Sequence, residues 1–320
     1  MKKATKIFVA NHEAMIGSAI LRRLRKDEFM NLIVRASSEL DLSNQKEVLE
    51  FLMDEKPDYV FLASAKVGGI LANSSYAAEF IYDNIQSQTN VIHSAWKSGV
   101  RKLLFLGSSC IYPKDCPQPI KEEYLLSGKL EPTSEPYAVA KIAGIRMCQS
   151  YNRQYKTDYI SVVPADVYGP GDDFDPKTSH VLPALIRKMH EAKIRNEQGI
   201  IVWGTGSPRR ECLYVDDLAD ACVFLMDNYD EPEIINVGSG EELTIKELAS
   251  LVRNVVGFGG AINFDQSKPD GAPRKLLDSS RIGKLSWSPK ISLEKGIRQT
   301  YQWYENYVKT KQTTPSEVYQ

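Results

Sequence analysis

Short β-branched and aromatic runs alternate with amphipathic stretches through the first half of the chain, the pattern of successive βαβ units and therefore of a parallel sheet. Five strands are predicted: Lys6–Ala10 (KIFVA), residues 32–35, residues 59–63, Lys102–Leu106 (KLLFL) and residues 159–164. Helices are predicted over 18–26, around 77–98 and around 137–155. Right-handed crossovers between such strands put helices on both faces of the sheet and ligands at the carboxyl ends of its strands.

After Pro164 the pattern changes. The loop 169–179 carries three aspartates, two prolines and two glycines. A helix at 181–193, a strand at 200–203, a helix at Val215–Asn228, a strand at 234–237 and a helix at 244–256 follow. No Gly/Ser-rich or Pro-rich stretch is long enough to act as a linker, so a soft boundary near 170 is expected, with a shared interface. The fold class is α/β: a doubly wound parallel sheet over 1–170 and a smaller α/β domain over 171–320, with some strands and helices exchanged between them. There is no internal repeat, and residues 309–320 are polar enough to fray.

At 320 residues the chain exceeds what one hydrophobic core usually holds, which agrees with two joined parts. Hydrophobic residues at 42% and charged residues at 25% exclude a disordered, collagen-like or coiled-coil chain. Forty basic against 41 acidic side chains leave a formal charge of −1, without the electrostatic footprint that holds a protein on nucleic acid or an anionic membrane. An anionic ligand must therefore be gripped locally. Apolar runs such as 59–63 and 103–106 are too short to span a bilayer, and the opening MKKATK leads into a strand rather than a signal segment, so a cytoplasmic protein is expected. Cys110, Cys116, Cys148, Cys212 and Cys222 are an odd number without C-x-x-C spacing, which suits a reducing compartment and argues against structural zinc; no metal site is expected.

Two constellations carry candidate chemistry. The turn after the first strand, residues 10–17 (ANHEAMIG), sits where a nucleotide-binding turn belongs but keeps only the last glycine of the spacing G-x-x-G-x-x-G. Asn11 can adopt a left-handed backbone, whereas the Ala14 methyl stands where a phosphate would approach. Taken alone, the segment reads as an ordinary tight βα turn. Tyr137 and Lys141 lie four apart on one helical face, and Ser108 or Ser109 follows the fourth strand toward the same cleft. An ammonium beside a phenol favours phenolate, drawing the tyrosine toward working pH as a proton donor to a carbonyl oxygen gaining a hydride. A lone Y-x-x-x-K belongs more often to a solvated helix; its place between strands four and five, after Gly107-Ser108-Ser109, favours catalysis.

On these residues the chain is identified as a member of the extended short-chain dehydrogenase/reductases. Segments 65–70 (AKVGGI), 103–113 (LLFLGSSCIYP), 138–145 (AVAKIAGI), 179–184 (SHVLPA) and 268–278 (KPDGAPRKLLD) resemble the GDP-L-fucose synthase family nearly letter for letter, along about the whole chain. The resemblance implies a Rossmann dinucleotide-binding domain with a smaller GDP-sugar-binding domain. It implies inversion of carbons 3 and 5 of GDP-4-keto-6-deoxy-D-mannose and reduction of the carbon-4 ketone by NADPH. Its catalytic residues would be Ser108 and Tyr137 at the carbonyl oxygen, Lys141 beside the tyrosine, and Cys110 and His180 as the acid/base pair. Apart from the resemblance, Cys110 reads as a small buried hydrophobe and His180 as a helix N-terminal residue; His12, His93 and His190 are given no chemistry. Cofactor contacts would come from Asn11, Glu13, Met15, Ile16, Gly17, Arg35, Leu106, Lys141, Pro164, Val167 and His180. Substrate contacts would come from Lys188, Trp203, Arg210 and Asp270, the cations suited to a diphosphate and the indole to stacking. A homodimer paired through the helices near 77–98 and 137–155 is the family's habit.

The departures from the family cluster at the cofactor and after strand five. Asn11, Glu13 and Ala14 replace the first glycine, the arginine and the second glycine of G-H-R-G-x-x-G. The cofactor implied is NADP(H), yet a carboxylate at 13 would repel a 2′-phosphate and admit NAD(H), while Arg35 remains to meet the phosphate. Where the family reads P-T-N-L-Y-G-P-x-D-N-F, residues 164–174 read PADVYGPGDDF; Ala165 loses a hydroxyl, and the added carboxylates, Asp166 among them, are expected to weaken anion binding or alter the substrate. A related GDP-keto-sugar enzyme with another hexose, and a non-catalytic homologue with a decayed cofactor turn, are the alternatives.

Overall fold

The computed structural model describes residues 1–268 and 270–313. In chain order the elements are β1 (Lys6–Ala10), α1 (Met15–Lys26), β2 (Asn31–Ile33), α2 (Gln45–Glu55), β3 (Tyr59–Leu62), α3 (Ile70–Ser75), α4 (Ala77–Lys97), β4 (Lys102–Leu106), α5 (Glu135–Tyr155), β5 (Asp158–Pro164) and β6 (Asp166–Tyr168). There follow α6 (Val181–Ile194), β7 (Gly199–Trp203), β8 (Arg209–Tyr214), α7 (Val215–Asn228), β9 (Ile235–Val237), β10 (Glu242–Thr244), α8 (Ile245–Val256), β11 (Ala261–Asp265), β12 (Arg274–Lys275), α9 (Ser280–Lys284) and α10 (Leu293–Thr313).

The large sheet has six parallel strands in the order β2-β1-β3-β4-β5-β9. Every residue of β3 and β4 is buried, the near-continuous apolar strand that a sheet covered on both faces requires. The winding reverses between β1 and β3, and ligands bind such sheets in the crevice outside the carboxyl ends at that reversal. Strand β2 is shorter than the predicted 32–35: it is an edge strand, and Arg35 turns its guanidinium onto the Val34 carbonyl at 2.8 Å instead of continuing the ladder.

The sixth strand comes from beyond residue 170. β9 pairs with β5, and α7 lies against α1 with Arg22 bonded to Asp216 at 2.6 Å and Arg23 to Asp220 at 2.9 Å. The smaller part contains the set β10-β8-β12, with β6 also paired to β8, and the parallel pair β7 and β11. Its core is built from Leu185, Ile186 and Met189 of α6, Leu248 and Val252 of α8, and Ile297 and Tyr301 of α10. A capping box between Thr244 and Glu247 starts α8, and Gly257 at φ 69° ends it. The predicted fraying of 309–320 is met at 309–313 by the last turns of α10; residues 314–320 lie outside the described residues. Among the described residues, no helix is long and apolar enough to cross a membrane.

Candidate active site

Strand β4 delivers the chain to Gly107-Ser108-Ser109 at the carboxyl edge of the sheet, where a short 3-10 turn over Ser109–Ile111 sets Ser108 and Cys110 side by side; the Cys110 N–H lies 3.4 Å from Ser108 Oγ. Helix α5 opens on Glu135 and Pro136, so Tyr137 falls in its first turn and Lys141 one turn further on the same face. Lys141 is 1% exposed. Its Nζ donates to the Leu106 carbonyl at 2.9 Å and stands 4.8 Å from the centre of the Phe105 ring and 5.9 Å from that of Tyr137. Burial disfavours the ammonium and brings its pKa down to about 8, against a small opposing pull from Cys110.

Tyr137 departs from expectation. Burial pushes its phenol up, the Cys110 sulfur adds to that, and only the hydrogen bond with Ser108 opposes it. The predicted downward pull of Lys141 is thus corrected: the ammonium is spent on the Leu106 carbonyl, and desolvation governs the phenol. The phenol is protonated at neutral pH, the form a proton donor needs.

Burial raises the Cys110 thiol, offset in part by Lys275, Ser108 and Lys141. His180 occupies the N-cap position of α6 without a side-chain capping bond, so its imidazole is free for other work. Burial lowers its pKa, Asp166 and Asp173 oppose, and Lys275 reinforces. At neutral pH the pair therefore comprises a thiol that holds a proton and an imidazole that can take one.

These groups share one cavity of about 420 Å³, whose walls include Ser108, Cys110, Tyr137 and His180. The four predicted substrate residues, Lys188, Trp203, Arg210 and Asp270, line the same cavity. Trp203 is 54% exposed, with Lys268 Nζ over its ring at 5.4 Å from the centre. Burial lowers the Lys188 ammonium, whose Nζ donates to the Ile201 carbonyl at 3.2 Å. Arg210 donates to the Ala272 carbonyl at 2.7 Å. Asp270 is engaged by the protein itself: its Oδ1 accepts from Thr205 N at 2.9 Å and its Oδ2 from Thr205 Oγ1 at 2.8 Å. Gly204, at φ 84°, lets this happen, since a Cβ there would stand 2.2 Å from Asp270 Oδ1.

Asp166, one of the added carboxylates, sits between two cations of the cavity wall. Its Oδ1 lies 3.5 Å from Lys275 Nζ and its Oδ2 3.9 Å from Arg210 Nε. Burial alone would raise Asp166, but Lys275, Arg210 and His180 together outweigh it and hold the carboxyl low. The carboxylate is compensated in place. Asp173 turns to its own loop, its Oδ1 accepting from Asp175 N at 2.8 Å. Lys275 was not singled out in the sequence, although it lies in the segment 268–278. The pairing of β12 with β8 puts it directly opposite Arg210, so two cations face one wall.

The predicted cofactor residues divide. Val167 and His180 line the cavity; among the described residues, its walls do not include Asn11, Glu13, Met15, Ile16, Gly17, Arg35, Leu106, Lys141 or Pro164. Leu106 and Pro164 close β4 and β5, Asn11 follows β1 directly, and Met15, Ile16 and Gly17 form the first turn of α1. The turn is built for close backbone approach. Asn11 has φ 58°, and a Cβ on Gly17 would stand 2.2 Å from the Asn11 carbonyl oxygen. Ala14, the N-cap of α1, makes no side-chain capping bond, so the first N–H groups of the helix are left for a ligand at the sheet's reversal point. These residues fit a dinucleotide diphosphate.

Residues 7–238 match the family described as Epimerase: NAD dependent epimerase/dehydratase family. The chain belongs to this family. GDP-L-fucose synthase 1 of Arabidopsis thaliana is 59% identical over 302 residues, 94% of this chain and 94% of that protein. GDP-L-fucose synthase of Escherichia coli (strain K12) is 51% identical over 308 residues, covering 93% of this chain and 96% of the other. Among solved structures, a GDP-L-fucose synthetase from Naegleria fowleri bound to NADP superposes with a TM-score of 0.90 at 26% identity, covering 97% of each chain. The turn after β1 lies at the sheet's reversal point, where ligands bind in doubly wound sheets.

Proposed function

We propose that the protein converts GDP-4-keto-6-deoxy-D-mannose to GDP-L-fucose, inverting carbons 3 and 5 and reducing the ketone at carbon 4 with a reduced nicotinamide dinucleotide. The observation that carries this reading is the meeting of Ser108, Cys110, Tyr137 and His180 in one cavity with Lys188, Trp203 and Arg210. Carbons 3 and 5 flank the ketone, so their protons are acidic once the enolate charge is stabilised on the carbonyl oxygen. The Ser108 hydroxyl and the Tyr137 phenol donate to that oxygen. Cys110 and His180 serve the two ring faces, one removing a proton and the other returning one, which needs one member protonated and the other not. When bound, the reduced nicotinamide supplies the hydride that carbon 4 takes up. Tyr137 then gives its proton to the alkoxide, and Ser108, hydrogen-bonded to the phenol, opposes the rise that burial causes and so eases the loss. Lys188 and Arg210 take the diphosphate, and Trp203 stacks on the base.

The same reading makes the protein a cytoplasmic homodimer, paired through α4 and α5, which leave Tyr82 63%, Tyr155 40% and Val139 39% exposed. The deciding assay incubates purified protein with GDP-4-keto-6-deoxy-D-mannose and either NADPH or NADH, following nicotinamide absorbance and identifying the sugar by NMR. Oxidation of a reduced cofactor together with GDP-L-fucose is expected. Oxidation of neither cofactor rejects the reductase.

A further inference from the structure

We infer that the adenosine end of the cofactor cleft selects NAD(H) over NADP(H), with Glu13 as the discriminating residue. The inference rests on the proposed use of a nicotinamide dinucleotide and concerns only which of the two is taken.

In a doubly wound sheet the ribose of the adenosine lies between the turn after the first strand and the end of the strand beside it. There a carboxylate accepts from the 2′-hydroxyl, or cations and N–H donors receive a 2′-phosphate. In this protein those places are the β1–α1 turn and the segment after β2, brought together because β1 and β2 pair. Glu13 bridges them: its Oε2 accepts from the Ser37 N–H at 3.0 Å and from Ser37 Oγ at 3.4 Å. A main-chain N–H beside a hydroxyl is the donor pair a phosphate oxygen would use, and here a carboxylate of this chain already holds it.

The cation that could offset this is committed elsewhere. Between residues 34 and 44 the sequence has a single basic side chain, Arg35, against the acidic Glu39 and Asp41. Arg35 donates to the Val34 carbonyl at 2.8 Å and to Glu55 Oε1 at 2.7 Å, and its guanidinium lies 5.3 Å over the Phe51 ring. Glu55 also holds Lys6 at 2.9 Å, and these two cations keep its carboxyl low. Swinging Arg35 toward a phosphate would break this arrangement. In the turn itself the remaining titratable group is His12, whose Nδ1 is buried without a hydrogen-bond partner. A 2′-phosphate, carrying about −1.5 to −2 charges near neutral pH, would thus meet Glu13 across a donor pair already in use. A 2′-hydroxyl would instead find in Glu13 an acceptor with lone pairs to spare.

The test is calorimetric titration of the full chain with NAD⁺ and NADP⁺, the oxidised forms, so that no turnover enters. The wild type, Glu13→Gln, Glu13→Arg and Arg35→Gln are compared. For the wild type, NAD⁺ is expected to bind at least about tenfold more tightly than NADP⁺, equivalent to ~1.4 kcal/mol. Glu13→Gln narrows the ratio and Glu13→Arg inverts it, whereas Arg35→Gln leaves it within about twofold. Glu13 is exposed, so its two variants keep the fold, and unchanged thermal melting verifies this for them and for Arg35→Gln. Tighter NADP⁺ binding by the wild type, or a ratio that Glu13→Arg does not move, overturns the inference and leaves the proposed function standing. Binding of neither nucleotide overturns both.

Discussion

Replacing Lys141 with methionine is expected to make the protein more stable while it loses catalysis. The ammonium is fully enclosed, donates to the Leu106 carbonyl, and has its pKa brought from the ordinary 10.5 to about 8 by burial. At 1.36 kcal/mol per pKa unit, that difference puts the cost of keeping it charged at roughly 3 kcal/mol. Methionine has similar length and no charge to desolvate, but it leaves the Leu106 carbonyl without its donor, a loss of about 1–3 kcal/mol. The net gain is therefore small, on the order of 1 kcal/mol at pH 7, or a rise of about 2 °C in Tm. The pH dependence isolates the electrostatic part. Because the folded pKa lies below the unfolded one, the unfolded chain binds more protons between about 8 and 10.5, and wild-type stability rises through that window. Below it the cost of the charged form is fully present. The advantage of Lys141→Met should thus shrink as pH climbs from 7 to 10, read as the difference in Tm between the two proteins. A methionine variant less stable than wild type at pH 7, or a Tm difference indifferent to pH, would refute the account of Lys141 as a strained, charged group.

Three further outcomes are expected. Tyr137→Phe should lower kcat for ketone reduction by about 10²- to 10⁴-fold, the usual contribution of a positioned proton donor, with KM for the sugar nucleotide nearly unchanged; a loss under tenfold in single-turnover reduction dismisses the phenol as donor. Cys110→Ala should stop inversion at carbons 3 and 5 yet leave some hydride transfer to the unepimerised ketone, and solvent deuterium at those carbons in its product would contradict this. Asp166→Asn removes the carboxylate that raises His180, so the imidazole pKa falls further. Since the neutral imidazole is the working form, the acid limb of carbon-3 and carbon-5 exchange should move to lower pH, and an unmoved or raised limb in the NMR-detected profile rules out the coupling.

What could be read from the sequence was what local chemistry decides. β3 and β4 announced themselves because strands buried on both faces must be apolar throughout, and Tyr137 with Lys141 because a helical turn alone brings residues four apart together. Helix α2 went unread: only Val48 and Leu52 are buried in it, too few for a clear apolar stripe, although Asn44 followed by Glu47 was a capping signal. The partnership of Lys275 with Arg210 and Asp166 escaped because it depends on the register of two strands far apart in sequence. For the same reason, Glu13 could be seen as a charge reversal but its attachment to Ser37 could not. Arg35 looked available for a phosphate until α2, unforeseen, supplied the Glu55 that engages it.

The late arrival of β9 sets a condition on how this molecule comes into being. During synthesis the outer edge of β5 has nothing to pair with until Val237 has left the ribosome, so every shorter nascent chain carries an open ladder of N–H and C=O groups ready to capture a stranger. Cutting the gene near residue 170 would freeze that interval permanently, and the resulting fragment should aggregate rather than bind nucleotide. The two halves are knitted by the chain's return, and they stand or fall together.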